Sequence, residues 1–386
     1  MTGLLSRSRP VIAVVGATGA QGGGLVRALL RDPWQRYRVR ALTRQPAARA
    51  ARALAQAGAD VMHADLDRPG TLAAAMAGID GLFAVTDFWA HFSPERELRQ
   101  AAQLAAAAAA ASVRHVIWST QEDTRPDGGP WCVPPMDAKG QADAFFRGLP
   151  TTYLLPSFYW DNFIHLGLHP LRDASGVLQW SLPLGGARLC GIAAEDIGHC
   201  VAALFVQGEG AVGERVGLAA EQLTGAQMAQ VLTQVLEEPV HYRAVSPEDF
   251  GRQPFPGAAE LARMFAWQQR EQAAYCAARA PQVARALHPG LQGFAQWAQS
   301  RADALRQLLV RRGDLQRPSL ILHVDDPFQR VDPHRTFLLV PRQLQDLLPV
   351  PANVVAAQKD HAGGEVVGDF PARGTPLQGD NPGFPG

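Results

Sequence analysis

The stretch VIAVVGATGAQGGG, residues 11–24, decides the fold. Val11 to Val15 is an unbroken apolar run closed by glycine, which is how a strand buried on both faces of a parallel sheet reads. Gly16 to Gly24 is a glycine-rich turn, and LVRALL (residues 25–30) then takes up helical spacing. Gly16, Gly19 and Gly22 let the backbone turn sharply and come close to a bound group, with Thr18 and Gln21 carried in the same turn. The start of the helix offers N–H groups and the positive end of its dipole. A glycine-rich turn on its own is common. One set between a buried strand and a helix predicts a phosphate cradle.

The same rhythm continues downstream. RVRAL (38–42), ADVMHAD (59–65), GLFAVT (81–86), RHVIWS (114–119) and TYLLP (152–156) read as strands. Helical stretches separate them, over 46–58 and 71–77 and in a long alanine-rich segment that Ser93-Pro94-Glu95 opens. There serine is the N-cap and proline takes the first helical position. Strands alternating with helices predict the α/β class, a doubly wound parallel Rossmann sheet.

After Pro156 the rhythm changes. An aromatic loop, SFYWDNF (157–163), leads into mixed strands and helices. One helix starts at the capping box of Thr224 and Gln227, another at Ser246-Pro247. These residues predict a smaller α+β lobe. The expected organisation is a dinucleotide-binding domain over 1–156, with later segments free to rejoin its sheet, and a substrate or effector lobe over 157–312. A proline- and glycine-rich, weakly ordered tail is expected over 313–386, with SLILHV and TFLLV as candidate short strands.

Composition narrows the function. Formal net charge is zero, so no basic field argues for nucleic acid or an anionic membrane. No apolar run approaches the length of a membrane span, and the N-terminus lacks the apolar core of a secretion signal. The four cysteines (Cys132, Cys190, Cys200, Cys276) are far apart in sequence and suggest neither a zinc site nor a disulfide framework. A cytoplasmic protein without a bound metal is the expectation.

The second strand selects the cofactor. An acidic residue at its end would hold the ribose hydroxyls of NAD. Here the strand ends Leu42-Thr43-Arg44, and a guanidinium at that point pairs with the 2′-phosphate of NADP. Arginine is common in this chain, so a solvated surface residue is the plain alternative. Ligands of open α/β sheets lie beyond the carboxyl ends of the strands. That rule places Asp65 and Leu66 beside the adenine and Thr86 in the cofactor cleft.

These segments together resemble the NmrA-like family of atypical short-chain dehydrogenases. The resemblance runs in order through GATGAQGG (16–23), LTR (42–44), DLD (65–67), VTDFW (85–89), DAKGQADAFF (137–146) and LPSFYWDNF (155–163). It continues through SLPLG (181–185), AEDIG (194–198), SPEDF (246–250) and FPGAAELARMF (255–265). It implies a Rossmann fold with a small C-terminal lobe, and Gly16, Gly19, Gly22, Arg44 and Lys139 as NADP(H) contacts. Family members include regulators that sense the NADP(H) state and NADPH-dependent quinone reductases. A protein partner or a small electrophile such as a quinone is therefore implied besides the cofactor.

Active short-chain dehydrogenases use a Tyr-x-x-x-Lys pair, and Lys139 fits the lysine. Of 36 basic residues only Lys139 and Lys359 are lysines, so this position asks for an ammonium rather than for positive charge alone. Pro135 occupies the tyrosine position and carries no transferable proton. Ser119, at the end of the fifth strand, matches the usual serine and joins the expected cofactor contacts. Tyr153 and Tyr159 are candidate substitutes for the missing acid, Tyr159 in the aromatic loop foremost with Lys139 as its catalytic companion, while nearby His165 and His169 read more simply as core or surface residues. Phe158, Trp160 and Phe163 read more simply as core than as a platform for a flat substrate. Two readings follow: an NADP(H)-responsive regulator without efficient turnover, or an NADPH-dependent reductase of quinones or similar electrophiles.

Overall fold

The computed structural model describes residues 9–310. The expected tail over 313–386, with its two candidate strands, lies outside the described residues.

The apolar runs form a sheet for the reason their sequence gives. β1 (Val11–Val14) has every residue buried, and successive side chains enter opposite cores. Ile12 and Val14 pack into one cluster, Val11, Ala13 and Val15 into the other. In chain order there follow α1 (Ala20–Leu30), β2 (Arg38–Thr43), α2 (Arg49–Gln56), β3 (Asp60–His63), α3 (Gly70–Met76), β4 (Gly81–Ala84), α4 (Pro94–Ala110), β5 (His115–Ser119), α5 (Pro134–Phe146) and β6 (Thr151–Pro156). Next come β7 (Phe158–Tyr159), α6 (Asn162–His165), β8 (Leu171–Arg172), β9 (Leu178–Leu182), β10 (Arg188–Ile192), α7 (Ala194–Gln207) and β11 (Arg215–Leu218). The described chain closes with β12 (Glu221–Thr224), α8 (Gly225–Leu236), β13 (Val240–Ala244), α9 (Pro247–Gly251), α10 (Ala258–Arg270), α11 (Gln272–Ala278), α12 (Pro281–Leu287), α13 (Phe294–Ser300) and α14 (Ala302–Val310).

The central sheet has seven parallel strands in the order β11-β6-β5-β4-β1-β2-β3. The order in which strands are added reverses between β1 and β4, and the crevice beyond their carboxyl ends is where such sheets take a ligand. The sheet completes itself late, since β11 comes from residues 215–218 and pairs with β6. Two three-stranded sheets, β12-β10-β7 and β13-β9-β8, build the smaller lobe with the last helices.

Strand β4 ends at Ala84, two residues short of the sequence expectation. The carbonyl of Thr86 accepts from the Lys139 ammonium at 2.8 Å instead of joining the ladder. The alanine tract lies in α4, where Ala101, Leu104, Ala105 and Ala108 pack on one face of the sheet with Ala142 and Phe146 of α5. On the other face α1 and α7 cross almost backbone to backbone, because Gly24 and Gly198 meet there. No helix among the described residues is long and apolar enough to cross a membrane.

The helix crossing gives a stability prediction. A Cβ at Gly198 would lie 2.1 Å from the Gly24 carbonyl carbon. In an open helix Gly→Ala stabilises by roughly 0.5–1 kcal/mol. At this contact Gly198→Ala reverses the sign and destabilises by about 1–3 kcal/mol, because neither backbone can yield. Urea unfolding reads the difference. An unchanged or raised midpoint contradicts the close crossing.

Candidate functional site

The turn between β1 and α1 is held by contacts only glycine permits. Gly16 has φ +62°, and the N–H of Gly19 donates back to its carbonyl at 2.8 Å. A Cβ on Gly22 would fall 2.3 Å from that same carbonyl oxygen. Gly19 caps α1 without a side chain, and the first turn carries no acidic residue. The first-turn N–H groups and the dipole end are therefore left to an external anion.

Around this turn the expected adenosine contacts are spread along the strand ends. Arg44 follows β2 and is exposed, with no carboxylate at that strand end. Asp65 is half-buried, and its Oδ1 accepts from the N–H of Asp67 at 3.0 Å. This bond, with the Thr71 hydroxyl accepting from the Asp65 N–H at 2.9 Å, shapes the loop after β3. Leu66 is half-buried against the core. Thr18 is half-buried in the glycine turn.

Two hydrogen-bonded groups meet at the crevice. The first surrounds Lys139, which α5 carries one turn after the buried Pro135. The ammonium donates to the Thr86 carbonyl at 2.8 Å and the Thr86 hydroxyl at 3.0 Å, and lies 2.9 Å from Glu97 Oε1. All three of its protons thus have acceptors within the chain. Thr86 Oγ1 in turn donates to Glu97 Oε1 at 2.6 Å, and His91 Nε2 stands 3.3 Å from Glu97 Oε2. The Trp118 ring centre is 5.6 Å from the ammonium. Glu97 is fully buried. Burial pushes its carboxyl up, but the Lys139 charge, with His91 and Thr86, outweighs burial and holds it at about 2.

The second group runs through the phosphate turn. Ser119 Oγ, at the end of β5, donates to Gln21 Oε1 at 2.9 Å. Gln21 Nε2 donates to the Tyr159 hydroxyl oxygen at 2.6 Å. One amide therefore ties the end of β5 to β7. Burial raises the Tyr159 phenol well above its ordinary value, and the Gln21 bond only partly opposes this. The phenol keeps its proton at neutral pH. Its loop companions Phe158, Trp160 and Phe163 are core residues.

The structure thus brings Gln21, Ser119 and Tyr159 into one chain and Thr86 and Lys139 into another. Both lie beside the glycine turn, at the carboxyl ends of the adjacent strands β5, β4 and β1. It does not bring Lys139 and Tyr159 into hydrogen-bond contact. Sequence reading missed Glu97 and His91. Glu97 lies in the first turn of α4, where an acidic residue is ordinary company for the helix dipole. Its only distinguishing signal was its place eleven residues after Thr86.

Comparison with known proteins agrees with this architecture. The model of the NmrA-like family matches residues 8–298. The chain is 30% identical over 285 residues to an NmrA-like family domain-containing oxidoreductase, FrzB, of Cladobotryum sp, covering 67% of this chain and 84% of that protein. Among solved structures it is similar to NmrA, a negative transcriptional regulator, in complex with NADP (TM-score 0.66, 24% identity, 79% of this chain and 98% of that one). It is also similar to a Citrobacter sp. triphenylmethane reductase complexed with NADP(H) (TM-score 0.61, 22% identity, 78% and 100%). At these identities the two solved structures bear on the fold.

Glu97 sets an acid-stability prediction. Its folded-state value of about 2 lies below the 4.5 of a free glutamate. Its contribution is therefore complete above about pH 4.5 and drains away as pH falls from there toward 2. Glu97→Gln leaves a mostly covered ammonium without its counter-charge, a loss of about 2–4 kcal/mol at pH 7, somewhat below that of a fully buried pair. Urea unfolding of both proteins should show that gap narrowing as pH falls to 3. A gap that stays constant with pH removes the ion pair as the cause.

Proposed function

This chain belongs to the NmrA-like family, and we propose that it works there as an NADPH-dependent oxidoreductase that reduces a small conjugated electrophile such as a quinone. The observation that carries this reading is the Ser119–Gln21–Tyr159 chain, which fixes a protonated phenol beside the phosphate turn. Tyr159 then supplies the acid that Pro135 does not.

The residues present fit the cofactor. The uncapped first turn of α1 and the close approach at Gly22 suit a pyrophosphate held by Gly16, Thr18, Gly19, Gln21 and Gly22. Arg44 takes the 2′-phosphate, Asp65 and Leu66 flank the adenine, and Thr86, Ser119 and Lys139 stand at the nicotinamide end. NADPH, when bound, supplies the hydride. Tyr159 gives its proton to the substrate oxygen, and burial keeps the phenol charged with that proton at neutral pH. Lys139 has no uncommitted proton, so it acts as a fixed positive charge that locks Thr86 at the crevice. FrzB is called an oxidoreductase, and both NmrA and the triphenylmethane reductase are complexed with NADP(H), which supports this assignment. Residues 1–156 are assigned to the cofactor, residues 157–312 to the substrate face, and the protein to the cytoplasm, where free thiols are the resting state.

A second reading has its own support. Pro135 and the saturated Lys139 both remove ordinary proton donors, and NmrA itself is called a negative transcriptional regulator. On that reading the chain senses NADP(H) by a shift of the aromatic loop and presents a changed surface to a protein partner.

Following NADPH absorbance with a panel of quinones separates the two. The reductase reading expects turnover that Tyr159→Phe lowers by about 10²–10⁴-fold, with NADPH affinity within a few-fold of the parent. Confirmed NADPH binding without turnover of any quinone sinks it and leaves the sensor. Calorimetry tests the cofactor choice independently. Arg44→Ala should weaken NADPH by about 10–100-fold, the loss of a charge-assisted contact, and leave NADH almost unchanged. Equal losses for both remove the 2′-phosphate assignment.

A further inference from the structure

We infer that Cys190 and Cys276 form a redox-active dithiol that closes reversibly into a disulfide, a covalent modification site separate from the nicotinamide crevice. The two cysteines are far apart in sequence, yet their sulfurs stand 3.4 Å apart. Cys190 is buried on β10, and Cys276 is half-buried on α11. A disulfide needs about 2.05 Å between the sulfurs. The remaining gap is under about 1.5 Å by that standard, which a small shift of one element closes.

The elements differ in their freedom to make that shift. β10 is paired on both sides, with β7 and with β12, and Cys190 itself stands opposite Gln222. α11 is seven residues long and attached through side chains. Gln222 Nε2 donates to the carbonyls of Cys276 at 2.8 Å and Arg279 at 3.1 Å, holding the C-terminal end of the short helix toward β12. The helix is therefore the partner that moves, toward a strand that stays.

Access assigns the two roles. Cys276 is the more accessible member and meets a peroxide first. Its thiolate attacks one peroxide oxygen, breaks the O–O bond and becomes a sulfenic acid, while the other oxygen leaves as water after protonation. The Cys190 sulfur then attacks the Cys276 sulfur, forms the S–S bond and expels the sulfenic oxygen as a second water. The net change oxidises two thiols to one disulfide and reduces one peroxide to two waters. Burial and the neighbouring Cys276 push the Cys190 thiol up, consistent with its acting second.

The position gives the bond a structural consequence. Arg279, just after α11, is fully buried, and its guanidinium lies 3.8 Å from the Tyr275 ring centre. It donates to Glu122 at 2.5 and 3.0 Å, to Gln121 Oε1 at 3.2 Å and to the Pro156 carbonyl at 3.2 Å. Those acceptors follow β5 and end β6, a few residues from Ser119 and Tyr159. Locking α11 onto β10 thus alters the support behind the crevice.

The inference does not rest on the oxidoreductase reading, and its test does not use turnover. The full chain is treated with hydrogen peroxide, unfolded, alkylated with a maleimide, digested and analysed by mass spectrometry. The expected product is an intramolecular Cys190–Cys276 cross-linked peptide that dithiothreitol abolishes, with Cys132 and Cys200 alkylated. In Cys190→Ser the same treatment should leave a sulfenic acid at Cys276 that dimedone traps. Four alkylated thiols after peroxide, sulfinic acid at Cys276 without a cross-link, or disulfides only between chains would each overturn it.

Discussion

The backbone-on-backbone contact at Gly22 governs the rest of the site. With no side chain there, the start of α1 sits directly on the Gly16 carbonyl, and any Cβ would force the two apart. That contact sets the angle at which α1 leaves β1. The angle brings Gly24 onto Gly198 of α7, and it aims Gln21 from the turn toward β5 and β7. A single steric allowance therefore places the phosphate cradle, one layer of helices and the amide that holds Tyr159.

The buried ion pair obeys a different constraint. Glu97 and Lys139 are costly to remove from water, and such a pair holds only if its remaining hydrogen-bonding groups are satisfied. Thr86 serves the ammonium twice, through its carbonyl and its hydroxyl, and donates to Glu97 Oε1, while Glu97 Oε2 faces His91 Nε2 at 3.3 Å. This explains a lysine in a chain that otherwise writes arginine. A compact ammonium directs three protons to three nearby oxygens, whereas a planar guanidinium presents its donors in a fixed fork. The same demand ends β4 at Ala84, since the Thr86 carbonyl serves the lysine and not a neighbouring strand.

The parts of the fold legible in sequence were those set by local pattern. Strands buried on both faces announce themselves as apolar runs, and the glycines between β1 and α1 have no other reading in that position. The rarity of lysine pointed to Lys139, and the proline at 135 pointed away from the usual acid. What stayed hidden was set by contacts between distant segments. Glu97 looked like a helix-start acid because its partner arrives 42 residues later. Cys190 and Cys276 looked isolated because only the packing of α11 on β10 unites them. β11, four residues long, carries too little pattern to betray that it completes the sheet.

One further property bears on how the site can respond to its ligand. The core that contains Ile12 and Val14 of β1 continues without a break through α7 to Trp160, Phe163, Trp180 and Trp297 of the smaller lobe. Phe163 stacks on Trp180 at 5.1 Å, and Trp160 meets Phe294 at 5.4 Å. Lobes joined by a small polar interface swing as rigid bodies, but lobes that share an apolar core do not. Change at the crevice must then be local, confined to side chains held by few bonds. Tyr159 is such a group, the half-buried member of an otherwise buried aromatic loop, tied to the phosphate turn through one amide. Whatever enters the turn acts first on Gln21, and through Gln21 on Tyr159.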